Sequence, residues 1–365
     1  MRPGAVFVKT PPRSCYLLLM VTPLTLHGPP RERGRAHGEA LRLEIHALFS
    51  AWEEEVHRET GLALSPYLAR LRGDTDFLPA IERFAPGLLA EVDGIAEGAN
   101  VSREDCRCLQ YLDEHWHHLA RLQGGAACSS VGGPGCIGQN MDLPRFLDGF
   151  QTLLRIRYPG SDLELLVPSF AGLIGLYGLS SRGVALCVNT ISQLRAAPTG
   201  LPVAFVVRST LERATVDEAL AHLERLPHAS GQNYLVGGPA GVADLECSAG
   251  GAVRLAPTAG NLCHTNHPLL SADLDPGRIG WDADRRQADL DHGLTFTRLE
   301  SLERGVGAEP PAVERVKELL GAVAHPLEAG RDVITFSSAV FEPGPRRAHV
   351  ASGPAGTPYR TVTLG

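Results

Sequence analysis

The chain has 365 residues, with 34 Lys and Arg against 41 Asp and Glu and a formal charge of −7. That balance leaves no basic excess to neutralise phosphates, which argues against a nucleic-acid partner, and no apolar run approaches the roughly 20 residues needed to span a bilayer. Its 44% hydrophobic and 21% charged residues are ordinary for a globular protein able to bury a large core.

Arg2, Lys9 and Arg13 precede a short apolar stretch, 15–21, that Pro23 interrupts. It is too short for a signal peptide and reads as a first strand over 16–26 behind a dispensable tail, with Met20 as an alternative start. A cytoplasmic location follows as the default. Leu41, Ile45, Leu48, Phe49, Trp52 and Val56 recur at helical spacing and predict a helix over 35–58. A second helix is expected over 86–97, ending near Gly98 and Asn100, and Ser102 caps a third that runs to His118. The texture changes at Gly124. From there to Asn189 short strands are separated by Gly/Pro turns: 128–131, then Gly132-Gly133-Pro134-Gly135, then 136–140, 152–158, 163–167 and 184–189. Helices return over 203–213 and 216–226, the latter opened by the capping box Thr215-x-x-Glu218. Strands at 234–236, 242–246 and 252–255, helices over 284–304 and 311–323, and closing strands at 333–340, 348–351 and 359–364 complete the order. Alternating blocks of helices and strands suit a layered α+β domain with sheet packed on sheet.

Eight cysteines occupy positions 15, 106, 108, 128, 136, 187, 247 and 263, with no C-x-x-C pair. A chain of this length needs no disulfide staples, so most read as reduced core residues. Cys128 stands apart. In Gly124-Gly125-Ala126-Ala127-Cys128-Ser129-Ser130, small residues crowd the peptide ahead of a cysteine that opens a strand, leaving room for a thiol to attack its own preceding carbonyl. Beyond the Gly/Pro turn, Gly138-Gln139-Asn140-Met141-Asp142 would fold Asn140 and Asp142 back beside it. Asn189 ends a later strand, and His264-Thr265-Asn266-His267-Pro268 and Thr297-Arg298 follow.

On these motifs the chain resembles the acyl-coenzyme A:6-aminopenicillanic acid acyltransferase-like family of N-terminal-nucleophile hydrolases, and more distantly bile salt hydrolases and penicillin V acylases. His27–Gly34 looks like that family's opening turn, Gly138–Asp142 its G-Q-N-x-D element, His264–Pro268 its T-N-H element, Thr297-Arg298 its S/T-R pair and Ala348–Pro354 its closing strand. The resemblance implies a four-layer αββα sandwich made as a precursor. It would cut itself between Ala127 and Cys128 into a small chain, 1–127, and a catalytic chain, 128–365, that stay together as one domain. Carried over, Cys128 is the nucleophile and Asp142 orients its freed α-amino group. Asn189 and Asn266 supply the oxyanion hole, Arg298 sits close to the sulfur, and Ser130 is a hydroxyl residue engaged in processing. Ala127 stands where the family commonly has glycine. No cofactor or metal is implied, acyl-coenzyme A being a candidate co-substrate.

The expected function is cysteine-based hydrolysis of an N-acyl small molecule, or acyl transfer from a thioester to an amine. The expected partners are that small molecule and the retained 1–127 fragment, with no membrane. Phe146, Phe150, Phe170 and Tyr177 are candidates for an apolar substrate pocket. An uncut, non-catalytic binding or scaffold protein of the same fold is the competing reading. Asp142 pairing with Arg155 or Arg157 is the plainer role for that carboxylate. The run Asp113-Glu114-His115-Trp116-His117-His118 lacks H-E-x-x-H spacing and reads as a solvated helix face. Cys263, His264 and His267 lack a fourth ligand at zinc spacing.

Overall fold

The structure is a computed structural model that describes residues 23–119, 127–255, 260–278, 294–325, 332–353 and 356–365. Residues 16–22 of the expected first strand, Gly124–Ala126, much of 284–304 and Pro354 lie outside them. Strand β1, Leu24–His27, is followed by helices α1 (Pro30–Ala40), α2 (Arg42–Thr60), α3 (Leu64–Asp74), α4 (Leu78–Phe84), α5 (Pro86–Ala99), α6 (Arg103–Leu109) and α7 (Leu112–Leu119). Strands β2 (Ser129–Gly133), β3 (Cys136–Pro144), β4 (Gln151–Arg157), β5 (Glu164–Phe170), β6 (Gly178–Ser180) and β7 (Ala185–Thr190) come next. Helices α8 (Val203–Leu211) and α9 (Val216–Arg225) precede β8 (Gln232–Gly237), β9 (Val242–Ser248), β10 (Gly251–Leu255) and β11 (Leu262–His264). Helices α10 (Thr295–Val306) and α11 (Val313–Ala322) then lead to β12 (Val333–Glu342), β13 (Arg347–Ala351) and β14 (Arg360–Thr363).

Among the described residues the strands form two sheets, ordered β1-β4-β5-β6-β7-β8-β9-β10 and β11-β2-β3-β12-β13-β14. The sheets face each other where β2, β3 and β11 lie over β7, β8 and β9. Helices α8 and α9 cover the outer face of the first sheet, and α10 and α11 that of the second. This is the expected αββα sandwich, and its core sits between the sheets and beneath the N-terminal helices. Among the described residues no helix is long and apolar enough to cross a membrane.

The first expected helix divides. Pro30 at the first turn starts α1 earlier than the apolar spacing shows, so the family-like turn at His27–Gly34 is mostly helix. Leu41, at φ −115° and ψ 26°, breaks it from α2. Glycines hold α1 against α5. A Cβ on Gly34 would lie 1.9 Å from the carbonyl oxygen of Glu91, and one on Gly98 2.1 Å from that of Arg35. Helices α1 and α5 therefore pack backbone to backbone, which only glycine allows. Helix α5 ends with Asn100 in the left-handed region at φ 57°. The expected Ser102-capped helix starts where predicted, with Ser102 Oγ accepting from the Asp105 N–H at 3.2 Å, but it also divides, around Gln110 and Tyr111. At Thr215, Oγ1 accepts from the Glu218 N–H at 3.1 Å, the expected N-cap contact.

Candidate active site

Strands β2 and β3 form the expected hairpin, with Gly135 at φ 84° in the turn. Its register pairs Ser129 with Asn140 and Ser130 with Gln139. Because strand side chains alternate between faces, the register decides which neighbours Cys128 has. Its Sγ lies 3.6 Å from Met141 Sδ, and the Asp142 N–H points at it across 3.4 Å. Asn140 turns the other way and donates to the Leu320 carbonyl oxygen at 2.7 Å, so of the two residues expected beside the cysteine only Asp142 adjoins it.

Arg298, on α10, reaches down from the helix layer. Its Nη1 donates to the carbonyl oxygen of Cys128 at 2.8 Å and to Ser129 Oγ at 2.7 Å. Its Nη2 donates to Asn266 Oδ1 at 2.9 Å. The guanidinium thus grips the main chain at the cysteine and ties it to the T-N-H loop. Asn266 Nδ2 in turn donates to the Thr190 carbonyl oxygen at 2.9 Å. On the inner face, Ser130 Oγ donates to Asn189 Oδ1 at 2.8 Å, and Asn189 Nδ2 donates to the His264 carbonyl oxygen at 3.5 Å. Each asparagine amide carries two N–H bonds, so each has a donor beyond the one used here. Cys128, Ser130, Asp142, Asn189, Asn266 and Arg298 therefore form one buried cluster, each at most 4% exposed.

Asp142 accepts from Thr335 Oγ1 at 2.6 Å, while its Oδ2 forms no hydrogen bond and lies 3.7 Å from His325 Nε2. Arg155 and Arg157 both pair with Glu164 instead, so the plainer role for Asp142 is taken by another carboxylate. Burial pushes the Asp142 carboxyl up to about 7, against the opposing pull of Arg298 and the Thr335 hydroxyl. Burial also pushes the Cys128 thiol up to about 12, helped by Asp142 and opposed by the Asp142 N–H and Arg298. The uncut site thus holds a thiol, not a thiolate.

A pH dependence follows. The folded Asp142 pKa lies above the unfolded value near 3.9, so folding takes up a proton between the two, and stability falls as pH rises from about 4 to about 7. Denaturant titration of Cys128→Ala should show this decline, at up to about 1.4 kcal/mol per pH unit. The buried Asp113, Glu114 and Asp244 carboxyls are raised too, so Cys128→Ala/Asp142→Asn should show a shallower decline, and an equal slope in both proteins would exclude Asp142 as a source.

Cys128 opens onto a cavity of about 40 Å³ walled by Met141, Leu143, Phe170, Leu173, Val188 and Val207. That is well below the roughly 300 Å³ of ordinary ligand pockets, so it admits a short group, not a whole substrate. Phe170 lines it as expected. Phe146, Phe150 and Tyr177 do not. Phe150 is part of the buried core and Phe146 packs against it. Tyr177 is buried with its ring edge-on to Phe341 and its hydroxyl 2.8 Å from Ser337 Oγ.

The helix-face reading of Asp113 and Glu114 is also overturned. Glu114 is 3% exposed and accepts from the Val203 N–H at 2.9 Å and Ser230 Oγ at 2.8 Å. Asp113 reaches the cavity. Both stand in the first turn of α7, where acidic residues commonly complement the helix dipole, and this hid their burial. Nothing in the sequence marked Thr335, His325 or Ser129 as partners of the site. His264 and His267, read against zinc, are held by Glu246 Oε1 at 2.9 Å and Thr295 Oγ1 at 2.8 Å.

Comparison with known proteins agrees with the motifs. The chain is 27% identical over 285 residues to the acyl-coenzyme A:6-aminopenicillanic-acid-acyltransferase 40 kDa form of Emericella nidulans, covering 75% of this chain and 78% of that protein. Among solved structures, a mutant of the conjugated bile acid hydrolase from Clostridium perfringens matches at 12% identity and a TM-score of 0.40, over 65% of this chain and 92% of its own. Penicillin V acylase from Agrobacterium tumefaciens matches at 15% identity and 0.36, over 66% and 80%. Residues 133–292 match the family described as acyl-coenzyme A:6-aminopenicillanic acid acyl-transferase.

Proposed function

We propose that the chain is an autoprocessed cysteine enzyme that breaks the amide bond of an N-acyl small molecule, passing the acyl group to water or to an amine. The observation that carries this reading is the placement of Cys128. Its sulfur opens on the cavity and faces the Asp142 N–H at 3.4 Å, while Arg298 holds its carbonyl oxygen at 2.8 Å.

In the first event Sγ attacks the Ala127 carbonyl carbon and the Ala127–Cys128 C–N bond breaks. The Sγ proton passes to the nitrogen, leaving a thioester and a free α-amine. Water hydrolyses the thioester, restoring the thiol and ending the 1–127 fragment in a carboxylate. The new α-amino group titrates near pH 8 and can take the Cys128 proton in later turnovers. That built-in base matters because burial otherwise keeps the sulfur protonated. Asp142 Oδ2, buried and without a hydrogen bond, suits an ammonium partner. The remaining N–H bonds of Asn189 and Asn266 suit the oxyanion of the tetrahedral intermediate, at roughly 3–4 kcal/mol per donor.

Purified wild-type protein should separate under denaturing conditions into fragments 1–127 and 128–365 that co-elute when native. N-terminal sequencing should read Cys-Ser-Ser for the larger one. A single intact chain in correctly folded material would remove the mechanism and favour the uncut binding-protein reading.

A further inference from the structure

Glu246, fully buried on β9, is a carboxylate that the mechanism leaves unused. It gathers the loop that follows β11. His264 Nε2 lies 2.9 Å from its Oε1. The Leu269 N–H donates to the same oxygen, and the N–H groups of Leu270 and Ser271 donate to Oε2. An ionised carboxylate has about four acceptor sites, so these contacts fill it. His264 Nδ1 lies 3.0 Å from the Thr265 carbonyl oxygen. Both ring nitrogens therefore face acceptors, which the single N–H of a neutral imidazole cannot satisfy. The ring is an imidazolium. Burial pulls it towards neutrality, and Glu246 and Asp244 more than reverse that pull. Burial likewise pushes the Glu246 carboxyl up, and His264 and the loop N–H groups bring it below its ordinary range.

One side chain thus holds residues 264 and 269–271, the two ends of a loop with Asn266 between them. From the other side, Thr295 in the first turn of α10 accepts the Asn266 N–H on its Oγ1 at 2.9 Å, and its carbonyl oxygen accepts from Thr265 Oγ1 at 2.9 Å. We propose that Glu246 is the positioning residue for the oxyanion donor Asn266, closing the loop at both ends and so fixing where the unused Asn266 N–H points. Glu246 acts through Asn266 and not on the sulfur or the acyl group. A glutamine offers one acceptor oxygen where four N–H bonds converge, and turns its own NH2 towards the others. Glu246→Gln therefore opens the loop at nearly constant volume. The inference rests on the amide-cleaving reading of Cys128, with Asn266 as an oxyanion donor.

The test is a double-mutant cycle on self-cleavage, followed on denaturing gels from freshly translated chain. Glu246→Gln should slow the cut about 10- to 100-fold, the cost of displacing a catalytic group by about 1 Å. Asn266→Ala should slow it about 10²- to 10³-fold. Because one residue acts through the other, the double variant should cut no more than about 3-fold slower than Asn266→Ala alone. A clasp that only stabilises the fold would lower the Tm and leave the two losses multiplicative. Multiplicative losses, or a wild-type rate in Glu246→Gln, overturn the proposal and leave self-cleavage standing. A wild-type chain that folds and never cuts removes the Cys128 reading and this one with it. Should Glu246→Gln fail to fold, Glu246→Asp, which keeps the charge but draws it back by one CH2, takes its place under the same criteria. In cut protein, the p-nitroanilide of hexanoic acid gives a second readout. Glu246→Gln should lower kcat and leave KM within about 2-fold of wild type, and a raised KM with kcat intact is equally fatal.

Discussion

Cys128→Ala protein should run as one unbroken 39.0 kDa chain and release no amine from any N-acyl substrate. The substitution removes a single sulfur from a position that is 2% exposed, so the fold should survive with a stability change small beside the loss of activity. Two functions fail together, because the same atom would make the cut and carry the acyl group. Loss of a nucleophile acting within a catalytic unit lowers kcat by about 10⁴- to 10⁶-fold. Mass spectrometry of the intact protein reads the first effect and anilide release the second. If the variant still divides between residues 127 and 128, the sulfur is not the attacking group. If it stays whole yet turns over at the wild-type rate, processing and catalysis have separate origins.

The largest expected effect on stability lies far from the sulfur. Glu91 is buried between two guanidiniums. Arg33 Nε donates to its Oε2 at 2.7 Å, and Arg208 reaches both oxygens at 3.1 and 3.2 Å while also donating to the Ile174 carbonyl oxygen at 2.7 Å. Burial pushes the Glu91 carboxyl up, and the two arginines more than reverse that, holding it below its ordinary range. Such a cluster is not in itself a large source of stability, since desolvation offsets the attraction. Removing one member is different. Glu91→Leu leaves two cations in the core with no anion and should destabilise the protein by about 3–5 kcal/mol. Urea unfolding in the uncut Cys128→Ala background measures it. Replacing Arg33 and Arg208 by Met as well should recover most of the loss. A change below about 1 kcal/mol for Glu91→Leu alone would mean that water reaches the arginines.

What the sequence disclosed and what it hid divide along physical lines. The strands of the β2–β3 hairpin and the Thr215 cap were legible because turn residues and side-chain periodicity act over a few neighbours. The order of Cys128, Asp142, Asn189, Asn266 and Arg298 was legible through family-like motifs, and the fold does draw them into one cluster. The partners of those residues were not. Thr335 reaches Asp142 from a strand 193 positions away, and no local pattern encodes that. The α1–α2 break was missed because the apolar spacing begins only at Leu41, while α1 carries no apolar stripe and is held to α5 through its glycines. Asp113 was misread because an acidic first turn looks the same whether it faces water or a cavity. The aromatic residues near position 146 were over-read, since an aromatic ring beside a nucleophile in sequence is as readily core as pocket.

The strand Leu24–His27 lies at one edge of the eight-stranded sheet and runs parallel to Leu154–Arg157. With Glu91–Arg208, His37–Gly172 and Gln110–Ile174, it stitches the first 127 residues to the remainder at widely separated points. While the backbone is whole, these stitches close loops within one molecule. Were it cut they would join two molecules, and losing them would become a dissociation whose balance depends on protein concentration. Scission would therefore turn a unimolecular folding problem into a bimolecular one. A chain so cut would have had one covalently tethered chance to assemble before becoming a heterodimer with no connecting peptide to guide its return.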